Sequence, residues 1–378
     1  MLRAIGALSL LSLLLLPACS SSESSGNANG GRGGVSGAGG NGGSGGASTC
    51  AAPPSLGVRW VGRVDGCDPR GARYAWSGSG FVGRFSGTGL GVRLLDAGQQ
   101  HTVLIDGALQ PTLKTQIADA MYPLASGLPQ GEHTFEVYRR TEASFGETIV
   151  ASFAVTGGEL LSPPEPPARR IEVVGDSITC GYGNEGTLPC MFSADTENHY
   201  LSYAAIAARD LGAELSTVAW SGKGVVFNYN GDPNSPLPTL YSLSSPTDRE
   251  STWSFAWQPD AVVINLGTND YSTGKNPTDA MFVEAYTGLL ARIRGVYPKA
   301  FVLCTMGPLL NGSGLATARK NISGAVEARH AAGDQQVKYF EFATPNGMPP
   351  GCDYHPNLAT HDAMAKELAA ELRADLSW

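Results

Sequence analysis

The sequence predicts a three-layer α/β/α domain with a parallel sheet, preceded by a β-sandwich, and three observations carry that prediction. Between residues 50 and 161 apolar side chains alternate with period two over short runs. After a proline-rich segment the rhythm changes to short, wholly apolar runs that alternate with stretches of helical period. Strands that are apolar on both faces belong to a parallel sheet covered by helices on either side. Of the 378 residues 42% are hydrophobic and 16% charged, which supplies real cores and excludes a chain disordered throughout. The formal net charge of -8 argues against a nucleic-acid partner.

Taken in order, residues 1–18 read as a signal peptide: Met1-Leu2-Arg3, an apolar run through Leu16, then Pro17-Ala18. The run from 4 to 16 is shorter than the about 20 residues that span a bilayer. Leu16-Pro17-Ala18-Cys19 resembles a bacterial lipobox, although Pro17 stands where a small or β-branched residue is commoner. That resemblance implies lipid attachment at Cys19 and an exported cell-envelope lipoprotein, at the outer membrane or cell surface, touching membrane only through its lipid. Plain secretion is the alternative. Residues 19–49 collapse to Gly, Ser, Asn and Ala, with 12 of the chain's 49 glycines, the composition of a flexible tether. The remaining 378 − 49 = 329 residues suffice for two domains.

The first domain, 50–161, alternates over 57–64, 89–95 and 133–138. Turns at Asp106-Gly107, Pro129-Gln130-Gly131 and Thr156-Gly157-Gly158 separate such runs, the spacing of a β-sandwich. Trp60, Tyr74 and Trp76 are candidates for exposed glycan contacts and equally for its core. A hinge at 162–169, opening Ser162-Pro163-Pro164-Glu165-Pro166-Pro167, reads as a stiff spacer. In the second domain, 170–378, strands are expected at 170–174, 261–266, 300–304 and 337–342, with another ending near 218. Helices are expected at 200–211, 279–296, 315–332 and 358–376. Ligands of such sheets sit at the carboxyl ends of the strands.

The chemistry-bearing residues fall at those ends. Gly175-Asp176-Ser177-Ile178-Thr179 follows the first strand, and Gly175 permits a tight turn that displays the Ser177 hydroxyl. Ser221-Gly222-Lys223-Gly224 follows the second strand and Gly267-Thr268-Asn269-Asp270 the third. A nucleophilic serine needs donors aimed at the oxyanion of a tetrahedral intermediate. The Ser177 and Gly222 N–H groups and the Asn269 amide supply three, and a Cβ at 222 would obstruct the approach of substrate. Among six histidines, His101, His133, His199, His330 and His361 read as surface or capping residues. His355 lies in Gly351-Cys352-Asp353-Tyr354-His355-Pro356-Asn357, just before the last helix, where a catalytic base belongs. Each block alone is ordinary turn chemistry.

Four such blocks in this order resemble the SGNH (GDSL) hydrolase superfamily over about residues 170–378. The resemblance implies Ser177 as nucleophile, His355 as base, and Ser177, Gly222 and Asn269 as the oxyanion hole. A narrower likeness is to carbohydrate esterase family 2. Its members place a jelly-roll-like domain before the SGNH domain and carry an extended block like Gly175-Asp176-Ser177-Ile178-Thr179-Cys180-Gly181-Tyr182-Gly183 and a Cys-Asp-x-His-Pro string like 352–356. Membership implies removal of acetyl groups from polysaccharides such as xylan and mannan through an acyl-enzyme, with no metal and no organic cofactor. The rivals are a lipase or thioesterase of the same superfamily and an inert glycan-binding lipoprotein.

One departure concerns the acid. Most SGNH enzymes place Asp three residues before the histidine, where this chain has Cys352; here the acid is Asp353. In an extended stretch residues i and i+2 share a side, which puts Asp353 beside His355; failing that, a backbone carbonyl holds the imidazole. Setting Cys19 aside, six cysteines remain, an even number that suits an oxidising compartment. The sequence-local pairs are Cys50 with Cys67, Cys180 with Cys190, and Cys304 with Cys352. Fifteen pairings exist, and some thiols could stay reduced and buried. The expected bridge is Cys180 to Cys190, closing a short loop beside the nucleophile, with Cys50 to Cys67 and Cys304 to Cys352 expected by elimination. Metal-ligand spacing is absent.

Overall fold

Strand and helix runs of the sequence are realised in a computed structural model that describes residues 50–96, 98–343 and 349–378. The signal segment, Cys19 and the Gly-rich stretch lie outside the described residues. Both remaining domains belong to one compact unit, Ala47–Trp378. Among the described residues no helix is long and apolar enough to cross a membrane.

The first domain is antiparallel throughout. Its strands are β1 (Arg59–Val61), β2 (Ala72–Tyr74), β3 (Gly80–Gly87), β4 (Gly89–Leu95), β5 (Gln100–Ile105), β6 (Ala108–Leu109), β7 (Leu113–Lys114), β8 (Ala120–Ala125), β9 (Gly131–Arg139), β10 (Thr148–Thr156) and β11 (Glu159–Leu161). One sheet runs β1-β3-β9-β5-β6, with β11 also on β3 and β7 on β5; the other runs β2-β10-β4-β8. Period two sends Phe81, Phe85, Phe135 and Val137 inward from the first sheet to meet Leu90, Val92 and Leu94 from the second. Phe81 and Phe135 meet edge to face at 6.3 Å.

The second domain is a parallel sheet of β12 (Arg169–Gly175), β13 (Ala213–Ala219), β14 (Ala261–Asn265), β15 (Phe301–Met306) and β16 (Val337–Glu341) in the order β13-β12-β14-β15-β16. The chain leaves β12 to one side and returns to the other, so the order reverses at the carboxyl end of β12, where such sheets open a ligand crevice. Its helices are α1 (Ser177–Cys180), α2 (Tyr203–Asp210), α3 (Leu237–Leu240), α4 (Thr268–Tyr271), α5 (Asp279–Val296), α6 (Gly312–Ala331) and α7 (Leu358–Leu376). Ile171 and Val173 of β12 pack against Met364, Leu368 and Leu372 of α7. On the other face Val262 and Ile264 share a core with Phe282, Leu289 and Ile322. The second helix begins at Tyr203, not 200, because Ser202 caps it by accepting the Ala205 N–H.

The proline-rich segment joins β11 to β12, yet the two domains meet directly. Trp76 of the sandwich is fully buried in the core that holds Val174 and Tyr241 of the second domain, and its indole N–H donates to Leu243 O at 3.3 Å. Arg63, also of the sandwich, is wholly buried. Its guanidinium meets Glu172 on β12 at 3.1 Å and Leu243 O at 3.0 Å, and also donates to Tyr241 O. Glu172 further accepts from the hydroxyls of Tyr241 (2.7 Å) and Tyr297 (3.1 Å). A buried pair with this many partners costs about 3–5 kcal/mol when one member is removed. Trp76 and Tyr74 are therefore core residues rather than glycan contacts, and Trp60 packs half-buried beside Phe81 at 5.9 Å. Three histidines read as surface or capping residues are fully buried as well. His101 bonds Asp96, His199 bridges Thr179 O and the Thr217 hydroxyl, and His361 accepts the Tyr203 N–H.

Candidate active site

At the end of β12, Gly175 is forced by packing: a Cβ there would lie 2.0 Å from the Thr179 hydroxyl. Asp176 then caps α1, its carboxylate accepting the Ile178 N–H at 3.0 Å, and Gly181 ends the turn in the left-handed region at φ 80. Ser177 is left just past the carboxyl end of β12 with 5% exposure. Its Oγ lies 2.8 Å from His355 Nε2.

The other imidazole nitrogen, Nδ1, lies 3.1 Å from the backbone carbonyl of Asp353. A carbonyl only accepts, so Nδ1 carries the hydrogen and Nε2 is free to accept from Ser177. The Asp353 carboxylate is elsewhere, accepting from the Tyr182 hydroxyl at 2.9 Å and the Phe192 N–H at 3.0 Å. The expectation that this carboxylate orients His355 is thereby corrected. Residues 352–354 form a 3-10 turn with Asp353 at φ 49 and Tyr354 at φ 65, not the extended stretch in which i and i+2 face one way. Tyr182 packs tilted against the His355 ring at 4.1 Å and stacks on Phe192 at 3.9 Å. Burial pushes the imidazole below its usual value, with the Asp353 carbonyl opposing.

The histidine turn is anchored covalently. Cys190 is bridged to Cys352, and the Asp353 N–H donates to Cys190 O at 3.1 Å. Cys50 and Cys67 form the other bridge. The bridges expected between Cys180 and Cys190 and between Cys304 and Cys352 are absent, and Cys180 and Cys304 are buried free thiols. Cys180 points inward from α1 and Cys304 lies mid-strand in β15, whereas the loops carrying Cys190 and Cys352 meet at the sheet's carboxyl edge.

Gly222 takes φ 77, the reason for glycine here, since inside the protein a Cβ would meet only Tyr229 at 3.8 Å. Neither the Gly222 N–H nor the Ser177 N–H has a partner among the described residues. Asn269, in α4, donates one amide hydrogen to Lys223 O at 2.9 Å and makes a long 3.4 Å contact with Asp176. Two carboxylates escaped the reading of the sequence. Asp270 accepts the N–H groups of Val225, Val226 and Phe227 at 2.8, 2.8 and 2.9 Å, yet burial pushes it up to about 6. Asp176 is pushed up to about 7, again chiefly by burial. The third strand end signalled Asp270 through its Gly-Thr-Asn-Asp string; Asp176 showed only as turn chemistry.

Comparison with known proteins gives consistent matches. Residues 60–164 match the family described as Carbohydrate esterase 2 N-terminal, and residues 173–363 the GDSL-like Lipase/Acylhydrolase family. The cellulase/esterase of Acetivibrio thermocellus is 40% identical over 326 residues, covering 85% of this chain; the chain spans 40% of that relative's length. An acetylxylan esterase / glucomannan deacetylase of Cellvibrio japonicus is 29% identical, with 73% of this chain and 76% of that protein covered. The solved structure of a family two carbohydrate esterase from Clostridium thermocellum in complex with cellohexaose superposes with a TM-score of 0.82 at 40% identity, covering 85% of this chain and 99% of that one.

Proposed function

Since the chain belongs to carbohydrate esterase family 2, we propose that it is a serine esterase removing acetyl groups from acetylated polysaccharides of the xylan and mannan type. The single observation that carries the reading is the 2.8 Å contact of Ser177 Oγ with a His355 Nε2 whose tautomer is set from behind by a carbonyl. His355 takes the Ser177 proton as Oγ attacks the ester carbonyl, and the protonated imidazole returns it to the departing sugar hydroxyl. Water then hydrolyses the acetyl-serine with His355 as base again. The unpartnered N–H groups of Ser177 and Gly222 receive the oxyanion, joined by the Asn269 amide hydrogen that makes only the long contact with Asp176. The names of the relatives support an acetylated glycan as substrate. Acetate release from acetylated xylan and glucomannan, with p-nitrophenyl esters of rising chain length, tests it. Acetyl should be the best acyl group. Ser177→Ala should sit near background, since loss of the nucleophilic serine in subtilisin costs about 10⁶ in kcat. Faster octanoyl than acetyl hydrolysis would favour a lipase. Lipid attachment at Cys19 belongs to the same proposal: Cys19→Ala should move the protein from membrane to soluble fractions, and equal partitioning would refute it.

A further inference from the structure

One residue of the sandwich reaches the second domain's loops. Glu142 follows β9 and immediately precedes the 3-10 turn Ala143–Phe145. It is buried, at 3% exposure. Its Oε2 accepts the backbone N–H of Ser221 at 2.6 Å and its Oε1 accepts from the Ser144 hydroxyl at 2.8 Å. Ser221 immediately precedes Gly222, so the bond fixes the peptide plane next to the one whose N–H has no partner among the described residues. The loop beyond is tied by the three N–H groups that Asp270 accepts and by the Tyr229 N–H donating to Gly222 O at 2.8 Å. Glu142 supplies the tie on the near side.

The residue is itself locked. Its carbonyl accepts from the buried Arg139 guanidinium at 2.9 Å, and its N–H donates to Glu197 Oε2 at 3.1 Å. Arg140 in turn donates to Glu197 O at 3.2 Å and accepts the His199 N–H at 3.1 Å, which binds this corner of the sandwich to the segment beside α1. Burial, then the Glu142 charge, pushes the Glu197 carboxyl well up. Glu142, Glu197 and Cys180 also bring ligand atoms within 4.8 Å of one another. Both Glu142 oxygens are already engaged by donors, which favours a hydrogen-bonding role over a metal.

We infer that Glu142 is a positioning residue of the esterase: through the Ser221 N–H it aims the Gly222 N–H at the oxyanion, so the sandwich holds part of the oxyanion hole in place. The inference rests on the Ser177 reading above. Removing one oxyanion donor outright costs about 10²–10³ in kcat, so a misaimed donor should cost a good part of that. The test compares Glu142→Ala, Glu142→Gln and Ser177→Ala on an aryl acetate, with affinity for a boronic acid that forms a tetrahedral adduct on serine. Glu142→Ala should lose about 30-fold or more in kcat with KM within about twofold, and should lose boronate affinity in parallel. Glu142→Gln, whose side-chain carbonyl still accepts the Ser221 N–H, should restore at least about a third of wild-type kcat. Where Glu142→Ala does not fold, Glu142→Asp keeps the charge but withdraws the acceptor, and should show the same kcat-selective loss. A Glu142→Ala protein within threefold of wild type in kcat, a loss confined to KM, or no rescue by glutamine would overturn the inference while an inactive Ser177→Ala protein left the catalytic reading standing. An active Ser177→Ala protein would overturn the reading beneath it.

Discussion

Replacing Asp353 with asparagine separates two ways of holding a catalytic imidazole. If the Asp353 carboxylate oriented His355, the amide would favour the wrong tautomer, which costs about 10⁴ in kcat in the serine proteases. The geometry leads elsewhere. His355 Nδ1 is held by the main-chain carbonyl of Asp353, which every substitution retains. The side chain's two bonds, from the Tyr182 hydroxyl and the Phe192 N–H, both arrive at the same oxygen, Oδ2. An asparagine Oδ1 can occupy that place, and asparagine tolerates the left-handed φ of 49. What is lost is the charge assistance to two bonds at an exposed position, about 1 kcal/mol, equivalent to about fivefold. Asp353→Ala loses both bonds and puts alanine in the left-handed region, a local cost of about 2–5 kcal/mol in all, which makes it the less discriminating variant. Steady-state kcat and KM on an aryl acetate, after circular dichroism has shown intact folding, decide the matter. An Asp353→Asn protein that loses more than a thousandfold in kcat would refute the main-chain account.

Three further outcomes follow from other contacts. The bridge between Cys190 and Cys352 spans 162 residues, for which chain entropy gives about 5 kcal/mol; the double serine variant should show a lowered urea midpoint and reduced kcat, and unchanged values in both would count against the tether. Because burial lowers the His355 pKa, the neutral imidazole persists into mild acid and activity is lost only as pH falls through that lowered value, so the acid limb of kcat/KM should lie below 6.5. A limb above 6.5 that survives Asp176→Asn would contradict this, since Asp176, pushed up to about 7, titrates nearby. Arg63→Met, which leaves Glu172 buried without its partner, should destabilise the whole unit by about 3–5 kcal/mol in chemical denaturation, and a change under about 1 kcal/mol would show the pair to be incidental.

The parallel sheet was legible because strands such as Ala261–Asn265 are buried on both faces and therefore apolar throughout. Convergence of the Ser177, Gly222, Asn269 and His355 loops was legible for the same reason, since a parallel topology places every such loop at one edge. Local conformation was not. Nothing in Cys352-Asp353-Tyr354 announces two consecutive left-handed residues, and that turn alone redirects the Asp353 carboxylate. Nearness along the chain found the Cys50–Cys67 bridge but not Cys190–Cys352, whose partners the fold brings together from 162 residues apart. Glu142 was invisible because its partner Ser221 lies 79 residues away in the other domain and no pattern of spacing links them.

The residues that cross between the domains bear on how such a protein can be recombined. Its proline-rich segment has the composition of a linker, the place where a breeder of chimeras would cut. Yet Trp76 and Arg63 have their surroundings on the far side of that cut. A sandwich transplanted alone would carry an indole and a guanidinium to a wet surface. The α/β half left behind would keep a vacant socket and a Glu172 with its two tyrosine hydroxyls but no cation. Productive crossovers therefore fall outside 50–378, and the two domains travel through exchange and engineering as one heritable piece.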